Sequence, residues 1–308
     1  MRWIFNSESN LNTTQTLAKP QRIQPDRLLV KTAIALMLLY TSTGTSQAEL
    51  RPVTVGEPVW ELGLGVTPIS MPAYRGSKTQ TNRVLPMPYA VYRGDWLRVD
   101  RDGIRGLLFS HDRVRLDISA DGALPAASDD ITLRDGMPDL DAAGEIGPSL
   151  NVSLIERDDL HLELQFPWRA VLTTDFSSIA DQGMTFHPKL RFSMPDVHNQ
   201  WLLGGSIGPL FANERYHQYY YGVADRYATA NRPAYRAEGG YSGTSLMLTL
   251  SKRFDRFWVG GYVRADSLHG APFTNSPLVE TNHSIAAGVG LAWIFARSSQ
   301  RVTHPETW

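Results

Sequence analysis

The chain contains no cysteine, which excludes disulfide bonds, thiolate metal sites and thiol nucleophiles. It also has no Walker loop, dinucleotide fingerprint or His/Glu zinc helix, so we predict neither a cofactor nor a metal site. Charge of one sign is not in excess, because the formal net charge is −1. Such a chain lacks the basic surface that nucleic-acid binding requires, and we expect no nucleic-acid partner.

Long apolar runs are also scarce. The run at residues 33–40 follows Lys31 and is far shorter than the roughly 20 residues that a membrane-spanning helix needs. Small residues two apart follow it at Ser46 and Ala48, as in a signal peptide that is cleaved after Ala48. We therefore assign residues 1–48 to an N-terminal extension and a cleavable signal peptide, which indicates export.

Helical periodicity is nearly absent after residue 58, and apolar residues alternate with polar or small ones instead. The stretch at residues 284–295 shows this best, because bulky apolar residues alternate with Ser, Ala and Gly. A strand with one bulky and one small face is typical of a membrane barrel, where one face meets lipid and the other meets the lumen. Its end, with Gly290, Trp293 and Phe295, resembles the closing-strand signal that outer-membrane barrels present to the barrel assembly machinery.

We count twelve alternating segments in residues 59–295, many of them about ten residues long, which is the length that a tilted strand needs to cross a bilayer. The sequence therefore predicts an all-β fold, a transmembrane antiparallel up-and-down β-barrel of about twelve strands. Ten strands are the alternative if residues 95–110 form one bent strand. Residues 49–58 form a periplasmic lead-in, and residues 296–308 form a C-terminal tail.

The connections mostly alternate between short and long, as short periplasmic turns and long outer loops do. The tight turn at Asp102-Gly103 is an exception. Another irregularity is the second strand, which contains Pro86 and Pro88. Proline removes a ladder hydrogen bond, so this strand is either strained or lies at a seam. The long outer loops are expected at residues 68–81, 121–143, 173–183, 213–239 and 268–282.

Ionisable residues concentrate on one face of the predicted strands. A charge near mid-bilayer on the lipid face costs about 2–4 kcal/mol, so this face should line the lumen. The charges either form a constriction or pair and fill the interior, as in small barrels, and we favour the second interpretation. The residues are Glu61, Arg113, Arg115, Asp117, Glu145, Glu163, Arg169, Lys189, Arg191, Arg264 and Asp266.

Two further groups of residues carry chemistry. The aromatic cluster in an outer loop is either a platform for sugars or peptides or, as we favour, part of the aromatic girdle of a barrel. It comprises Tyr216, Tyr219, Tyr220 and Tyr221. His161 and His187, with serines on neighbouring strands, make a hydrolase conceivable, but no nucleophile elbow marks a serine. We therefore predict no catalytic residues and no enzymatic activity.

An ordered set of short motifs resembles the MltA-interacting protein/OmpV family of outer-membrane proteins, over about residues 58–295. The motifs are Tyr74-Arg75-Gly76-Ser77, Asp135-Gly136-Met137-Pro138-Asp139-Leu140-Asp141, Gly144-Glu145-Ile146-Gly147-Pro148-Ser149-Leu150, Tyr219-Tyr220-Tyr221-Gly222-Val223, Tyr235 with Gly239-Gly240-Tyr241, and Ser276-Pro277-Leu278-Val279. The resemblance implies a barrel in the cell outer membrane, in contact with membrane lipid and lipopolysaccharide.

The resemblance also implies two roles, neither of which comes with site residues. The first is a scaffold that links a lytic transglycosylase to a peptidoglycan (murein) synthase, and this is the function we expect. The second is a porin-like channel for small solutes, which is the alternative. A hydrolase in the lumen or wall is the third and weakest interpretation.

Overall fold

The computed structural model describes residues 56–100, 103–175, 177–197 and 200–302. The signal peptide and most of the lead-in lie outside the described residues, so cleavage after Ala48 stays a prediction. Within them the chain is mostly strand, and none of the helices found there combines enough length with enough apolar character to cross a membrane.

The strands follow one another along almost the whole described chain. They are β1 (Trp60–Pro72), β2 (Gln80–Arg93), β3 (Leu97–Asp100), β4 (Gly103–His111), β5 (Val114–Ala123), β6 (Ala142–Arg157), β7 (Leu160–Thr174), β8 (Ile179–Phe186), β9 (Lys189–Met194), β10 (Trp201–Ala212), β11 (Gly240–Arg253), β12 (Phe257–Ser267) and β13 (His283–Arg297). The single α-helix of the described residues, α1 (Glu214–Tyr221), lies in the loop after β10.

Neighbouring strands pair antiparallel, and β13 pairs with β1 to close the barrel. The segments β8 and β9 both lie between β7 and β10, so they are two halves of one broken strand. The break falls at His187-Pro188, where proline cannot donate to the ladder. The structure is thus a twelve-stranded up-and-down barrel, as predicted. The ten-strand alternative is wrong, because β3 and β4 are separate paired strands.

The outer face of the wall is apolar and the inner face carries smaller or polar groups. On β13, for example, Ile285, Val289 and Leu291 are exposed, whereas Ala286 and Ala292 are buried inside. The exposed apolar side chains form the lipid-facing band of an outer-membrane barrel.

One outer loop is much shorter than predicted. The connection expected at residues 173–183 is reduced to residues 175–178, because β7 continues to Thr174 and β8 starts at Ile179. The β7–β8 pairing shifts register after Val171, and Gly183 has a φ of 102°. Such bulges interrupt the two-residue alternation while the chain stays in the sheet, which hid these residues from pattern analysis.

The two ends of the described chain leave the barrel together, at the rim that carries the short periplasmic turns. The Gly56 amide donates to the Val302 carbonyl over 2.9 Å, and the Val302 amide donates to the Glu57 carbonyl over 2.9 Å. Pro58 and Arg301 form a further antiparallel bridge. Residues 56–58 and 300–302 therefore extend the β1–β13 seam as a short ribbon beyond the wall.

Candidate functional site: a polar chamber under a loop lid

The structure places the predicted lumen residues on the inner face of the wall, with one exception. Eight of the eleven are buried, and Glu145 and Arg264 are half-buried. Arg113 is exposed in the periplasmic turn between β4 and β5, so its assignment to the lumen is wrong. Arg113 lies two residues before Arg115 and so fits the same alternation, but β5 begins only at Val114. The alternation therefore made the predicted strand one residue too long.

One charged network joins β5, β6 and β7 across the half of the barrel interior that lies nearer the periplasmic turns, which we call the lower lumen. Arg115 Nη2 lies 3.0 Å from Glu163 Oε1, and its Nε lies 3.4 Å from Asp117 Oδ2. The Asn151 amide donates to the same Asp117 oxygen over 2.8 Å. A buried pair of this kind requires each charge to be matched, because an unmatched buried ion is costly.

A second network lies near the β1–β13 seam. Arg253 Nη2 is 2.9 Å from Glu61 Oε2, and the Tyr89 hydroxyl donates to the same oxygen over 3.3 Å. Tyr89 also belongs to an apolar cluster with Val91 and Ile294 that fills the lumen beside this network. The pairs and the apolar cluster together occupy the interior at this level.

The exposure of these side chains shows how full the interior is. Glu61 and Glu163 each expose 1% of their surface, and Asp117 exposes 2%. If water filled the barrel axis at this level, it would contact the charged side chains that point into the lumen, and these side chains would be exposed. The lower lumen is therefore packed with paired side chains, which is the interpretation that we favoured from the sequence.

Above this packed level lies a polar chamber of about 190 Å³. Arg169 Nη1 lies 3.1 Å from Asp121 Oδ2 at its wall, and the Thr185 hydroxyl donates to Glu145 over 3.0 Å. Arg264 and Arg75 both reach Asp266, over 2.9 and 3.2 Å. Cationic groups from β7, β9, β12 and the first outer loop thus surround a small space.

The chamber is roofed by four outer loops, residues 73–79, 124–141, 213–239 and 268–282, which we call the lid. Tyr221 of α1 stacks on Phe273 with ring centroids 3.8 Å apart. Its hydroxyl donates to the Arg75 carbonyl over 2.9 Å, and the Ser276 hydroxyl donates to the Tyr221 carbonyl over 2.6 Å. Tyr74 donates to the Leu278 carbonyl over 2.5 Å, and burial raises its pKa to about 12.

The aromatic cluster takes a role that the sequence did not predict. Residues 214–221 form helix α1, whose N-terminus is capped by the Asn213 side chain accepting from the Tyr216 amide. Tyr216, Tyr220 and Tyr221 line the chamber from above, and Tyr219 accepts a hydrogen bond from the Asp141 amide. The cluster is part of the lid, so our interpretation as a membrane girdle is wrong.

The closing-strand residues lie as the alternation predicts. Trp293 and Phe295 are exposed on the lipid face with ring centroids 5.9 Å apart. Gly290 is buried on the inner face, where an added Cβ would come within 2.9 Å of the Trp258 ring. Recognition of this strand by the assembly machinery stays a prediction.

His161 forms no catalytic pair with the serine that lies opposite it. His161 and Ser193 occupy paired positions on β7 and β9, yet neither His161 Nε2 nor Ser193 Oγ has a hydrogen-bond partner among the described residues. A serine nucleophile needs a base within hydrogen-bond reach. Across the same part of the chain, no three His, Asp or Glu residues gather as metal ligands.

The lid is also where the motif residues meet. Tyr74, Arg75, Tyr221 and Leu278 come from motifs up to about 200 positions apart and contact one another there. A family profile described as MltA-interacting protein MipA matches residues 64–295. The chain belongs to this family.

Relatives of known location match the MipA-family chain over part of its length. Outer membrane protein Omp26La of Vibrio anguillarum is 34% identical over 91 residues, and outer membrane protein OmpV of Vibrio cholerae is 31% identical over 91 residues. Each match covers 29% of this chain and 34% of the relative, so the chain spans about a third of each relative's length. The protein is an outer-membrane β-barrel.

Among solved structures, an outer membrane channel from Pseudomonas putida F1 is similar with a TM-score of 0.38 and 12% identity, covering 82% of this chain and 99% of that one. The NanC porin is similar with a TM-score of 0.37 and 7% identity, covering 75% of this chain and 98% of that one.

Sequence reasoning missed several residues of this site. The candidates did not include Arg75, His217, Phe273 and Asp121, although Arg75 belongs to one of the motifs that resemble the family. The alternation of the strands could not indicate them, because their roles arise from contacts between loops that are distant in sequence.

The lid should loosen in acid. His217 is buried against the edges of the stacked Tyr221 and Phe273 rings, and its Nδ1 lies 2.6 Å from the Glu238 carbonyl oxygen. Burial, with Arg75 nearby, lowers the pKa of His217. The folded lid therefore favours the neutral ring, so its stability is complete above the unfolded pKa of about 6.5 and decreases as pH falls below it.

Limited proteolysis of the refolded protein checks this. Cleavage within residues 213–239 should accelerate between pH 7.5 and pH 5 in the wild type, and His217→Gln should remove most of that acceleration. Equal acceleration in the variant would show that another group controls the lid.

Proposed function

We propose that this protein is a non-enzymatic, non-conducting docking protein of the outer membrane, and that its partner is a lytic transglycosylase, alone or together with a peptidoglycan synthase. The observation that carries the proposal is the packed lower lumen, where buried ion pairs leave glutamates at 1% exposure. A barrel filled in this way is suited to presenting surfaces rather than to passing solutes. The family description, which names an MltA-interacting protein, supports the partner.

The periplasmic rim is the surface that a soluble partner would meet. Each of its five turns carries at least one aspartate, namely Asp95, Asp112, Asp158 with Asp159, Asp196 and Asp255. Trp96 is strongly exposed in the first turn and Phe254 in the last. The rim also carries Arg113, Arg157 and Arg256, so its charge is mixed. Its exposed aromatic residues, with aspartates beside them, fit a partner that presents basic groups around apolar pockets.

Reversing the rim charges should weaken docking. We expect the triple variant Asp95→Lys, Asp112→Lys and Asp158→Lys to bind a purified lytic transglycosylase about tenfold more weakly at low salt, because complementary charge mainly accelerates association. Surface plasmon resonance with the barrel in nanodiscs measures this.

The matched control makes the same charge change at the other end of the barrel. Asp129→Lys, Asp130→Lys and Asp135→Lys alter exposed residues of the lid and should leave the affinity unchanged. Equal loss in both variants, or no binding by the wild type, would refute docking at the periplasmic rim.

A solute channel remains the second candidate because of the polar chamber. Its charged lining could hold a small polar solute that enters from outside. The two candidates differ in conductance, because only a channel passes ions across the membrane.

A further inference from the structure

The polar chamber has a cationic pole on the side of β12. Arg75 and Arg264 both contact Asp266, each through its Nε, so one carboxylate faces two guanidinium groups. Arg75 Nη1 and Nη2 are buried and have no hydrogen-bond partner among the described residues. Arg264 borders the chamber with 23% of its side chain exposed and makes no hydrogen bond to any other described residue. This pole therefore has one positive charge in excess and donors that no protein group uses.

An acidic pole lies among the residues of β5 to β9. Glu145 of β6 borders the chamber, and none of the ion pairs in the described part of the chain includes it. Asp121 and Asp141 line the same side, where the cations are Arg169 and Lys189. Three carboxylates against two cations leave one negative charge in excess.

The two poles face each other across the lumen. Along the closed wall, the shorter path from β6 to β12 passes β7, the broken strand, β10 and β11, which is close to half of the twelve strands. Side chains on the inner faces of β6 and β12 therefore approach the chamber from nearly opposite directions. The chamber is thus a space with opposite charge at its two ends.

This arrangement decides which charge a ligand should carry. The excess charges of the two poles are equal and opposite when histidine is neutral, and an unmatched buried ion is costly. A simple anion would match the cationic pole and leave the acidic pole unmatched, whereas a simple cation would do the reverse. A molecule with one negative and one positive group matches both poles at once.

The size and the remaining lining of the chamber restrict the ligand further. A volume of about 190 Å³ is below the roughly 300–1,000 Å³ of typical ligand pockets, so only a compact molecule fits. Leu210, Met247 and Tyr262 also line the space and offer apolar surface to a short carbon chain.

We propose that the chamber is a blind binding site for a compact zwitterion, whose carboxylate lies at Arg75 and Arg264 and whose ammonium group lies at Glu145. A guanidinium group with two available nitrogens matches the two oxygens of a carboxylate. The ligand enters through the lid, because paired side chains fill the lower lumen. The site is independent of the docking role at the opposite rim and of any conductance.

Equilibrium dialysis of radiolabelled ligands against the full chain in nanodiscs at pH 7 tests the proposal, with empty discs as the blank. The zwitterions are glycine, β-alanine and γ-aminobutyrate, which differ in the distance between their charges. Each is compared with the carboxylate that lacks its ammonium group and with the amine that lacks its carboxylate. At least one zwitterion should bind about tenfold more tightly than both of its singly charged counterparts, because each counterpart leaves one pole unmatched.

Two variants should change this preference in opposite directions. Glu145→Gln removes the negative excess, so the carboxylate should then bind at least as tightly as the zwitterion. Arg264→Gln removes the positive excess, so the amine should gain in the same way. A merely structural role of either residue would weaken all three ligands together. Arg236→Gln is the control with an equal change of charge, since Arg236 pairs with Glu214 on the exposed surface of the lid, and it should leave the binding unchanged.

The wild type alone can overturn the proposal, even if a variant does not fold. Three zwitterions that bind no better than their singly charged counterparts, or that do not bind at all, would show that the chamber holds only water. A wild-type preference for a zwitterion that stays the same in both folded variants would overturn its placement between Glu145 and Arg264.

Discussion

Replacing Glu163 by leucine is expected to lower the free energy of unfolding by about 3–5 kcal/mol, because the change leaves Arg115 buried without its main partner. Glu163 exposes 1% of its surface, so water cannot replace the lost carboxylate. Urea unfolding of the protein refolded in vesicles, followed by the faster gel migration of the unboiled barrel, measures the loss.

The double variant Arg115→Met with Glu163→Leu should recover most of that stability, since similar-sized apolar residues often replace a buried pair without loss. The matched control is the exposed pair Arg157 and Asp159, 2.7 Å apart, whose replacement by methionine and leucine should cost less than about 1 kcal/mol. If Glu163→Leu cost no more than this control, the lower lumen would be hydrated rather than packed.

Gly147→Ala is expected to cost about 2–3 kcal/mol and to slow refolding, because strands β6 and β7 approach too closely there for a side chain. An added Cβ would overlap the Trp168 carbonyl oxygen and lie 2.9 Å from Arg169 Cα. Backbone atoms of a paired strand cannot move aside without breaking the wall.

Gly144→Ala provides the control within the same strand. An added Cβ at Gly144 meets nothing within 4 Å, so its cost should stay within about 0.5 kcal/mol. The comparison uses the same measurement of unfolding in vesicles. Equal costs at the two positions would mean that β6 and β7 do not pair as closely as described.

The strands of the barrel wall were predictable because each of them shows its own alternation of apolar and polar residues in the sequence. Alternation located all twelve strands, and the charges of Glu61, Asp117 and Glu163 marked the inner face. The proline pair in β2 predicted strain or a seam, and the structure places both prolines inside a strand that pairs with β1 over its whole length. Prediction succeeded where one residue's environment follows from its phase in a strand.

The lid and the ends of strands were not predictable in this way. The stacking of Tyr221 on Phe273 joins loops that have no shared period, so only the folded chain shows it. The bulge at Gly183 interrupts the alternation, so one outer loop was predicted too long. Arg113 continues the alternation beyond the end of β5, so this residue was wrongly assigned to the lumen. Helix α1 did leave a signal, since Asn213 stands at a capping position before Glu214.

The most direct test of the central claim, that paired side chains fill the lower lumen, is single-channel recording of the refolded protein in a planar bilayer. Migration of the unboiled sample confirms that the barrel is folded before the recording. We predict no stable current steps from the wild type. Stable steps that change when Arg115 is reversed to glutamate would contradict the packed lumen and make the protein a channel.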